Sequence, residues 1–188
     1  FYGGGLPRIV VPGLLAAWRD RFDEHVFATL AFRLLRAAER LGTPVTFEGF
    51  ASVAAAQGPV VYVANHMSMV ETILLPAGLL AFGPLAIVAK RSLTRYPGFG
   101  RTLLASRPIL VSRVNARRDL AEVLAQGTER LSQGCSVLLF PQGTRDACFD
   151  PRRFNSLGVK LARRAGVPLA PVAVKGDFAR PGRLLRDF

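Results

Sequence analysis

Residues 60–71 have the sequence VVYVANHMSMVE, an apolar run followed at once by polar residues. The first part, 60–64, is short and rich in β-branched side chains, which is typical of a strand buried on both faces. The polar residues come directly after it, where open α/β sheets place their ligand sites. This segment therefore predicts a buried parallel strand and the position of a functional site.

Similar strand patterns alternate with helical patterns along the rest of the chain. Short apolar or alternating runs predict strands at 45–50, 60–64, 86–89, 109–111, 137–140 and 169–174. Apolar residues at intervals of three to four predict helices at 14–41, 68–80, 117–132 and 155–165. Because strands and helices alternate, we expect an α/β fold with a mostly parallel central sheet flanked by helices.

The N-terminal part combines an apolar stripe with basic flanks. Residues 6–12 are bounded by Pro and Gly and predict an irregular start. The helix predicted at 14–41 has leucines and aromatic residues on one side and arginines on the other, as helices in a membrane interface do. An ordinary core-facing helix explains this pattern at least as well. We expect residues 1–44 to be an amphipathic, membrane-associating segment and 45–188 to be a single domain.

The charge of the chain narrows the class of partner. Lys and Arg number 25 against 13 Asp and Glu, and this net charge of +12 favours anionic partners. Half of the residues are hydrophobic, and neither a Lys-rich tail nor an aromatic-studded platform is present. We therefore expect no nucleic acid partner and favour a membrane surface. The basic run at 90–101 indicates either a solvated face or a site for a phosphate-rich carrier or anionic headgroups.

The longest uncharged stretch, 72–89, approaches the length of a membrane-spanning helix. Two prolines and two glycines interrupt it, so we expect a helix followed by a strand and no transmembrane span. Cys135 and Cys148 cannot form a metal site by themselves, and we expect both to be reduced thiols.

His66 is the first candidate for chemistry. An imidazole exchanges a proton near neutral pH and can take one from an attacking hydroxyl. A carboxylate on its other ring nitrogen would fix the tautomer, and Glu71 is the candidate. Four residues lie between the two, so the pairing requires His66 in the turn before the helix. Asn65 and Ser68 suit that turn and its capping.

A second polar loop, with the sequence PQGTR at 141–145, follows the strand predicted at 137–140. Gly143 lets the backbone approach a ligand closely, and Arg145 offers a planar fork for a phosphate. A donor set of this kind could also stabilise an oxyanion.

Four blocks of the sequence, in this order, resemble those of the 1-acylglycerol-3-phosphate acyltransferase family of glycerolipid synthesis. They are NHMS at 65–68 with Glu71, PILVSR at 108–113, FPQGTR at 140–145 and VPLAPVAVKG at 167–176. The ordered set makes the resemblance specific, since any one block alone would be weak evidence.

The resemblance implies transfer of a fatty acyl group from acyl-CoA or acyl carrier protein to the hydroxyl of a lysophosphatidic acid-like acceptor. His66 would be the general base, oriented by Glu71, and no covalent acyl-enzyme would form. It also implies no metal and no cofactor, and action at the cytoplasmic face of the membrane. Residues 45–188 would be the acyltransferase domain. Family members commonly continue further, so we leave open that its C-terminal end is incomplete.

The resemblance also implies roles in substrate binding. Arg145, with Arg113 as second choice, would hold the phosphate of the acceptor. Gly143 and Thr144 would help to form the acceptor and oxyanion pocket, and Lys175 would lie near its edge. The candidate substrate-binding residues are Asn65, Ser68, Arg113, Gln142, Gly143, Thr144 and Arg145.

Two positions depart from the family pattern. The family usually has Asp where this chain has Glu71, which keeps the charge, and Glu where it has Gln142, which loses it. The second departure leaves the acceptor open. The alternatives are a different lysolipid, linked to an amino acid or a glycan, and a catalytically silent member that binds lipid.

Overall fold

The computed structural model describes residues 5–146 and 149–176. In this part of the chain the strands are β1 (Val61–Ala64), β2 (Leu85–Lys90), β3 (Ile109–Val111), β4 (Ser136–Leu139) and β5 (Leu169–Val172). The helices are α1 (Gly5–Trp18), α2 (Glu24–Arg40), α3 (Phe50–Ala54), α4 (Glu71–Leu79), α5 (Phe99–Ala105), α6 (Ala116–Ser132) and α7 (Leu157–Ala165). Short 3₁₀ turns lie at Leu80–Phe82, Arg91–Arg95 and Pro151–Arg153.

The strands form one sheet in the order β3-β2-β4-β1-β5, and every pairing is parallel. This confirms the predicted α/β fold with a parallel sheet flanked by helices. All carboxyl ends therefore meet at one edge of the sheet, so the loops after β1 and β4 become neighbours.

Both faces of the sheet are covered, because side chains alternate between two apolar layers. On one face Val61 and Val137 pack against residues of α6 and α7. On the other face Tyr62 and Leu138 pack against residues of α4. Full burial of such a side chain contributes about 1.5–3 kcal/mol. The ends of β1 and β4 are thus anchored side by side in the core.

The N-terminal prediction was wrong in two respects. Residues 6–12, expected to be irregular, belong to α1, which contains Pro12. The helix predicted at 14–41 is two helices, separated by a break in which Asp20 has a φ of 52°. Asp23 starts α2, since its side chain accepts the Val26 N–H at 2.8 Å. The apolar residues keep the spacing of one continuous helix across this break. The cap at Asp23 nevertheless starts a new helix, which the spacing alone did not indicate.

The strand predicted at 45–50 was also wrong. Residues 43–49 have no regular structure, and α3 follows Gly49, which has a φ of 79°. The Phe47 and Phe50 rings stack on each other at 5.6 Å, and Phe50 meets Phe82 edge-on at 5.2 Å. Aromatic packing therefore explains the apolar alternation in this segment. Helix α5, in turn, was not predicted.

Within the described residues, no helix is long and apolar enough to cross a membrane. Cys135 is a free thiol, and burial raises its pKa. Cys148 lies outside the described residues.

Candidate active site

The turn between β1 and α4 brings His66 and Glu71 into contact. His66 Nδ1 lies 2.9 Å from Glu71 Oε1. The same Oε1 accepts the backbone N–H groups of Met67 and Ser68, each at 2.6 Å, and the Ser68 hydroxyl donates to Oε2. Glu71 is 6% exposed. Its carboxylate is therefore a buried acceptor surrounded by donors.

These hydrogen bonds determine where the protons of the pair lie. Burial acts to raise the pKa of Glu71, but hydrogen bonds from His66 and from the Ser68 hydroxyl and N–H lower it below 4.5. An ionised carboxylate can only accept, so His66 Nδ1 carries the proton that is donated to Oε1. His66 Nε2 is then the nitrogen that can receive a proton.

The loop after β4 holds His66 from the other side. Gln142 Oε1 accepts the backbone N–H of His66 at 2.7 Å, and the His66 carbonyl accepts the N–H of Asp146 at 2.9 Å. The Phe140 ring lies 4.6 Å from the imidazole, with the planes inclined at 31°. The two polar loops found in the sequence therefore form one site. This contact of Phe140 with the imidazole was not predicted.

Asn65, Ser68 and Gln142, which were predicted to bind substrate, make hydrogen bonds within the protein. Asn65 exchanges two hydrogen bonds with the Val174 backbone, at 2.8 and 2.6 Å, and so ties β1 to the segment after β5. Ser68 holds Glu71. The amide oxygen of Gln142 is taken by His66, and its Nε2 is buried with no hydrogen-bond partner. Their positions indicate that they shape the turn around His66.

A cavity of about 750 Å³ lies beside His66. This volume is in the range of sites for small molecules and cofactors. One set of lining residues is polar or charged and includes Lys90, Arg113, Asp119, Gly143, Thr144, Arg145, Asn155 and Lys160. Another set is apolar and includes Phe22, Phe27, Ile73, Ile87, Leu93 and Leu103. The cavity can therefore hold a ligand that has both an anionic part and an apolar part.

The two arginines of the cavity lining follow different strands of the sheet. Arg145 follows β4, the neighbour of β1, whereas Arg113 follows β3, three places from β1. At about 4.8 Å per strand, β3 lies about 14 Å from β1. Lys90 ends β2 and belongs to the basic run at 90–101, for which an anion site was one of the two interpretations of the sequence. Lys160, on α7, had no such signal.

Arg113 has a φ of 61°, a left-handed conformation that is uncommon for a residue with a side chain. Asp119 on α6 contacts this loop. Its Oδ1 accepts the N–H and the hydroxyl of Ser112 at 2.8 and 2.9 Å, and its Oδ2 accepts the N–H of Arg113 at 2.6 Å. Burial acts to raise the pKa of Asp119, but these hydrogen bonds and the charge of Arg118 lower it. Asp119 was not predicted as a site residue.

Comparison with known proteins identifies the class to which this fold and site belong. The model of the family described as Acyltransferase matches residues 44–175, which is more than half of the chain. The chain belongs to this acyltransferase family.

Particular relatives include two proteins of Pseudomonas aeruginosa. A 1-acyl-sn-glycerol-3-phosphate acyltransferase is 32% identical over 173 residues, covering 92% of this chain and 65% of its own length. A lyso-ornithine lipid O-acyltransferase is 32% identical over 179 residues, covering 93% of this chain and 66% of its own. This chain thus spans about two thirds of the length of either relative.

A solved structure shows the same fold. The 1-acyl-sn-glycerophosphate acyltransferase PlsC from Thermotoga maritima matches with a TM-score of 0.54 and 23% identity. The match covers 89% of this chain and 68% of that one.

Proposed function

We propose that this protein transfers a fatty acyl group from a thioester to the hydroxyl of a lysophosphatidic acid-like acceptor, as a step of phospholipid biosynthesis. The observation that carries the proposal is the 2.9 Å contact of His66 with Glu71 at a cavity with both cationic and apolar lining. Membership of the family supports acyl transfer. The identity with the 1-acyl-sn-glycerol-3-phosphate acyltransferase supports the acceptor class.

In the proposed reaction His66 Nε2 takes the proton of the acceptor hydroxyl as its oxygen attacks the thioester carbonyl carbon. Glu71 stabilises the imidazolium through Nδ1–H. The tetrahedral intermediate then collapses, the carbon–sulfur bond breaks, and the imidazolium returns the proton to the leaving thiolate. An ester and a free thiol are the products. Every proton is accounted for by His66, so we expect no metal or organic cofactor.

Arg145 is the proposed ligand of the acceptor phosphate. It follows the strand next to β1 and lines the cavity with His66, which suits an acceptor whose phosphate lies close to the reacting hydroxyl. Arg113, three strands from β1, remains the second choice. Gly143, with a φ of 76°, and Thr144 line the same cavity and are proposed to contribute to the oxyanion pocket.

The apolar lining supports an acyl chain as the group bound there. Phe22 and Phe27 come from the N-terminal segment, whereas Ile73 and Ile87 come from α4 and β2. Through Phe22 and Phe27 this segment therefore contributes to a cavity wall, in addition to the membrane association proposed for it. The donor is proposed to be acyl-CoA or acyl carrier protein.

A membrane surface is the proposed partner of α1. Val11, Leu15 and Trp18 are 46%, 48% and 69% exposed, and such apolar side chains are suited to an interface. Arg101 lies 5.5 Å from the centre of the Trp18 ring and adds positive charge beside it. Because both donors occur in the cytoplasm, we place the protein at the cytoplasmic face of the membrane.

The second candidate function is acyl transfer to a different lysolipid. It is favoured by the identity with the lyso-ornithine lipid O-acyltransferase, which is as high as that with the first relative. Gln142 supports it as well, because the loop beside His66 lacks the carboxylate usual in the family.

A panel of radiolabelled lysolipids with acyl-CoA and acyl carrier protein donors tests both functions. We expect lysophosphatidic acid to be acylated with a kcat/KM at least about tenfold above that of lyso-ornithine lipid, since Arg145 can bind its phosphate. The reverse order would establish the second candidate. Binding of lysolipid without any transfer would contradict both and indicate a silent lipid-binding protein.

A further inference from the structure

The loop after β3 is held in an uncommon conformation by a side chain from another element. Arg113 lies in the left-handed region, which persists for a non-glycine residue only when its surroundings impose it. Both carboxylate oxygens of Asp119 are used for this. They accept the backbone N–H groups of two successive residues, Ser112 at 2.8 Å and Arg113 at 2.6 Å.

This interaction is not required to start helix α6. The helix is already capped by Asn115, whose side chain accepts the N–H of Arg118 at 3.0 Å. Asp119 lies one turn further on, and its side-chain bonds are directed to the preceding loop. Its contacts therefore concern the geometry of that loop.

The geometry matters because Arg113 and Asp119 both line the cavity that contains His66. The direction in which a side chain leaves the backbone depends on φ and ψ. If residue 113 relaxed to a negative φ, its guanidinium would leave the backbone in a different direction. The Asp119 carboxylate oxygens accept the N–H and hydroxyl donors of this loop.

We propose that Asp119 is a positioning residue that holds Arg113 in the left-handed conformation in which its guanidinium binds the anionic group of a substrate. The proposal rests on the proposed acyl transfer for the identity of that substrate, an acceptor phosphate or a donor phosphate. Asp119 does not contact the reacting atoms. Its effect is on binding, through Arg113.

The test uses four proteins: Asp119→Asn, Arg113→Ala, the double variant, and Glu129→Gln as control. In Asp119→Asn the amide NH₂ would face the N–H of Arg113. Both groups are donors, so the hydrogen bond to Arg113 is lost and the two groups repel each other. Glu129 is an exposed carboxylate on the same helix, so Glu129→Gln removes the same charge without touching the loop.

Dissociation constants for a short-chain lysophosphatidic acid and for an acyl-CoA are measured by calorimetric titration, which does not depend on turnover. KM and kcat are measured where transfer occurs. We expect Asp119→Asn to weaken binding of the same substrate as Arg113→Ala, by roughly tenfold. The double variant should bind no more weakly than Arg113→Ala alone, and the rise in KM should exceed any fall in kcat. The control should match the wild type.

If Arg113→Ala weakens binding and Asp119→Asn does not, the positioning role is wrong while the proposed acyl transfer stands. Additive effects in the double variant would also overturn it, since they would mean that Asp119 acts independently of Arg113. If neither variant alters either dissociation constant, Arg113 binds no substrate anion and the inference fails. Should Asp119→Asn not fold, Ser112→Ala removes one of the Asp119 contacts and should weaken the same binding by a few-fold.

Discussion

Glu71→Gln separates the charge of the residue at position 71 from its shape. Glutamine is nearly isosteric, and its amide oxygen can still accept the three N–H donors that meet at Oε1, at 2.6 to 2.9 Å. Its NH₂ group can donate to the Ser68 hydroxyl. The turn and the tautomer of His66 are therefore retained, and only the negative charge beside the imidazole is lost.

The size of the effect follows from the state that the charge stabilises. A hydrogen bond to a charged partner contributes about 1.5–3 kcal/mol, against about 0.5–1.5 kcal/mol for a neutral one. The charged imidazolium forms only as the acceptor is deprotonated, so the difference of roughly 1–2 kcal/mol raises the barrier to reaction. We expect kcat to fall roughly 5- to 30-fold.

The assay is the initial rate of thiol release from acyl-CoA, with lysophosphatidic acid as acceptor. Glu71→Asp is the matched variant, because it keeps the charge and shortens the side chain by one methylene. We expect it to lose only a few-fold in kcat, since the turn can adjust to a shorter carboxylate. Equal losses in the two variants would refute the view that the charge on Glu71 orients and stabilises His66.

Three other expectations concern the acceptor, the membrane and acid. Arg145→Ala should raise the KM for lysophosphatidic acid about tenfold or more and leave that for the donor nearly unchanged; the opposite pattern would assign Arg145 to the donor. The double variant Trp18→Ala, Leu15→Ala should sediment less with anionic liposomes, and its sedimentation should depend less on salt. Val159→Ala, an exposed apolar control on α7, should behave as the wild type. Equal sedimentation of all proteins would place the membrane contact elsewhere. Because folding lowers the pKa of Glu71, the contribution of this residue to stability is complete above pH 4.5 and is lost as the pH falls below that value. Between pH 5 and about 3, the free energy of unfolding of Glu71→Gln should therefore fall less than that of the wild type. Parallel curves of unfolding free energy against pH for the two proteins would contradict the lowered pKa.

The sheet could be predicted because its signals are local. The β1 and β4 runs are short, apolar and β-branched, since both of their faces are buried, and each is followed by polar residues. Ligand sites in such folds lie at the carboxyl ends of the strands, and this rule predicted that His66 and Arg145 lie at the same edge of the sheet.

The errors arose where distant contacts decide the local structure. Pro12 was taken as the end of an irregular segment, but it lies inside α1. The alternation at 45–50 was taken for a strand, but Phe47 and Phe50 use it to stack on one another. The spacing of apolar residues along a sequence does not indicate which parts of the fold they pack against.

The functions of polar side chains were harder still to predict. Asn65 bonds to Val174, 109 residues away, and Gln142 bonds to the backbone of His66, 76 residues away. No spacing in the sequence indicates such pairs. The same holds for Asp119, since a carboxylate in the first turns of a helix is ordinary, and only the folded loop shows that it holds Arg113.

The central claim is that His66 is the general base, and the most direct test is the kcat of His66→Ala with saturating acyl-CoA and lysophosphatidic acid. His25→Ala is the control, because His25 is exposed on α2. Circular dichroism checks that both variants are folded. We predict a loss of about 10²- to 10⁴-fold in kcat for His66→Ala and wild-type turnover for His25→Ala. A folded His66→Ala variant that retains activity within a few-fold of the wild type would contradict the account.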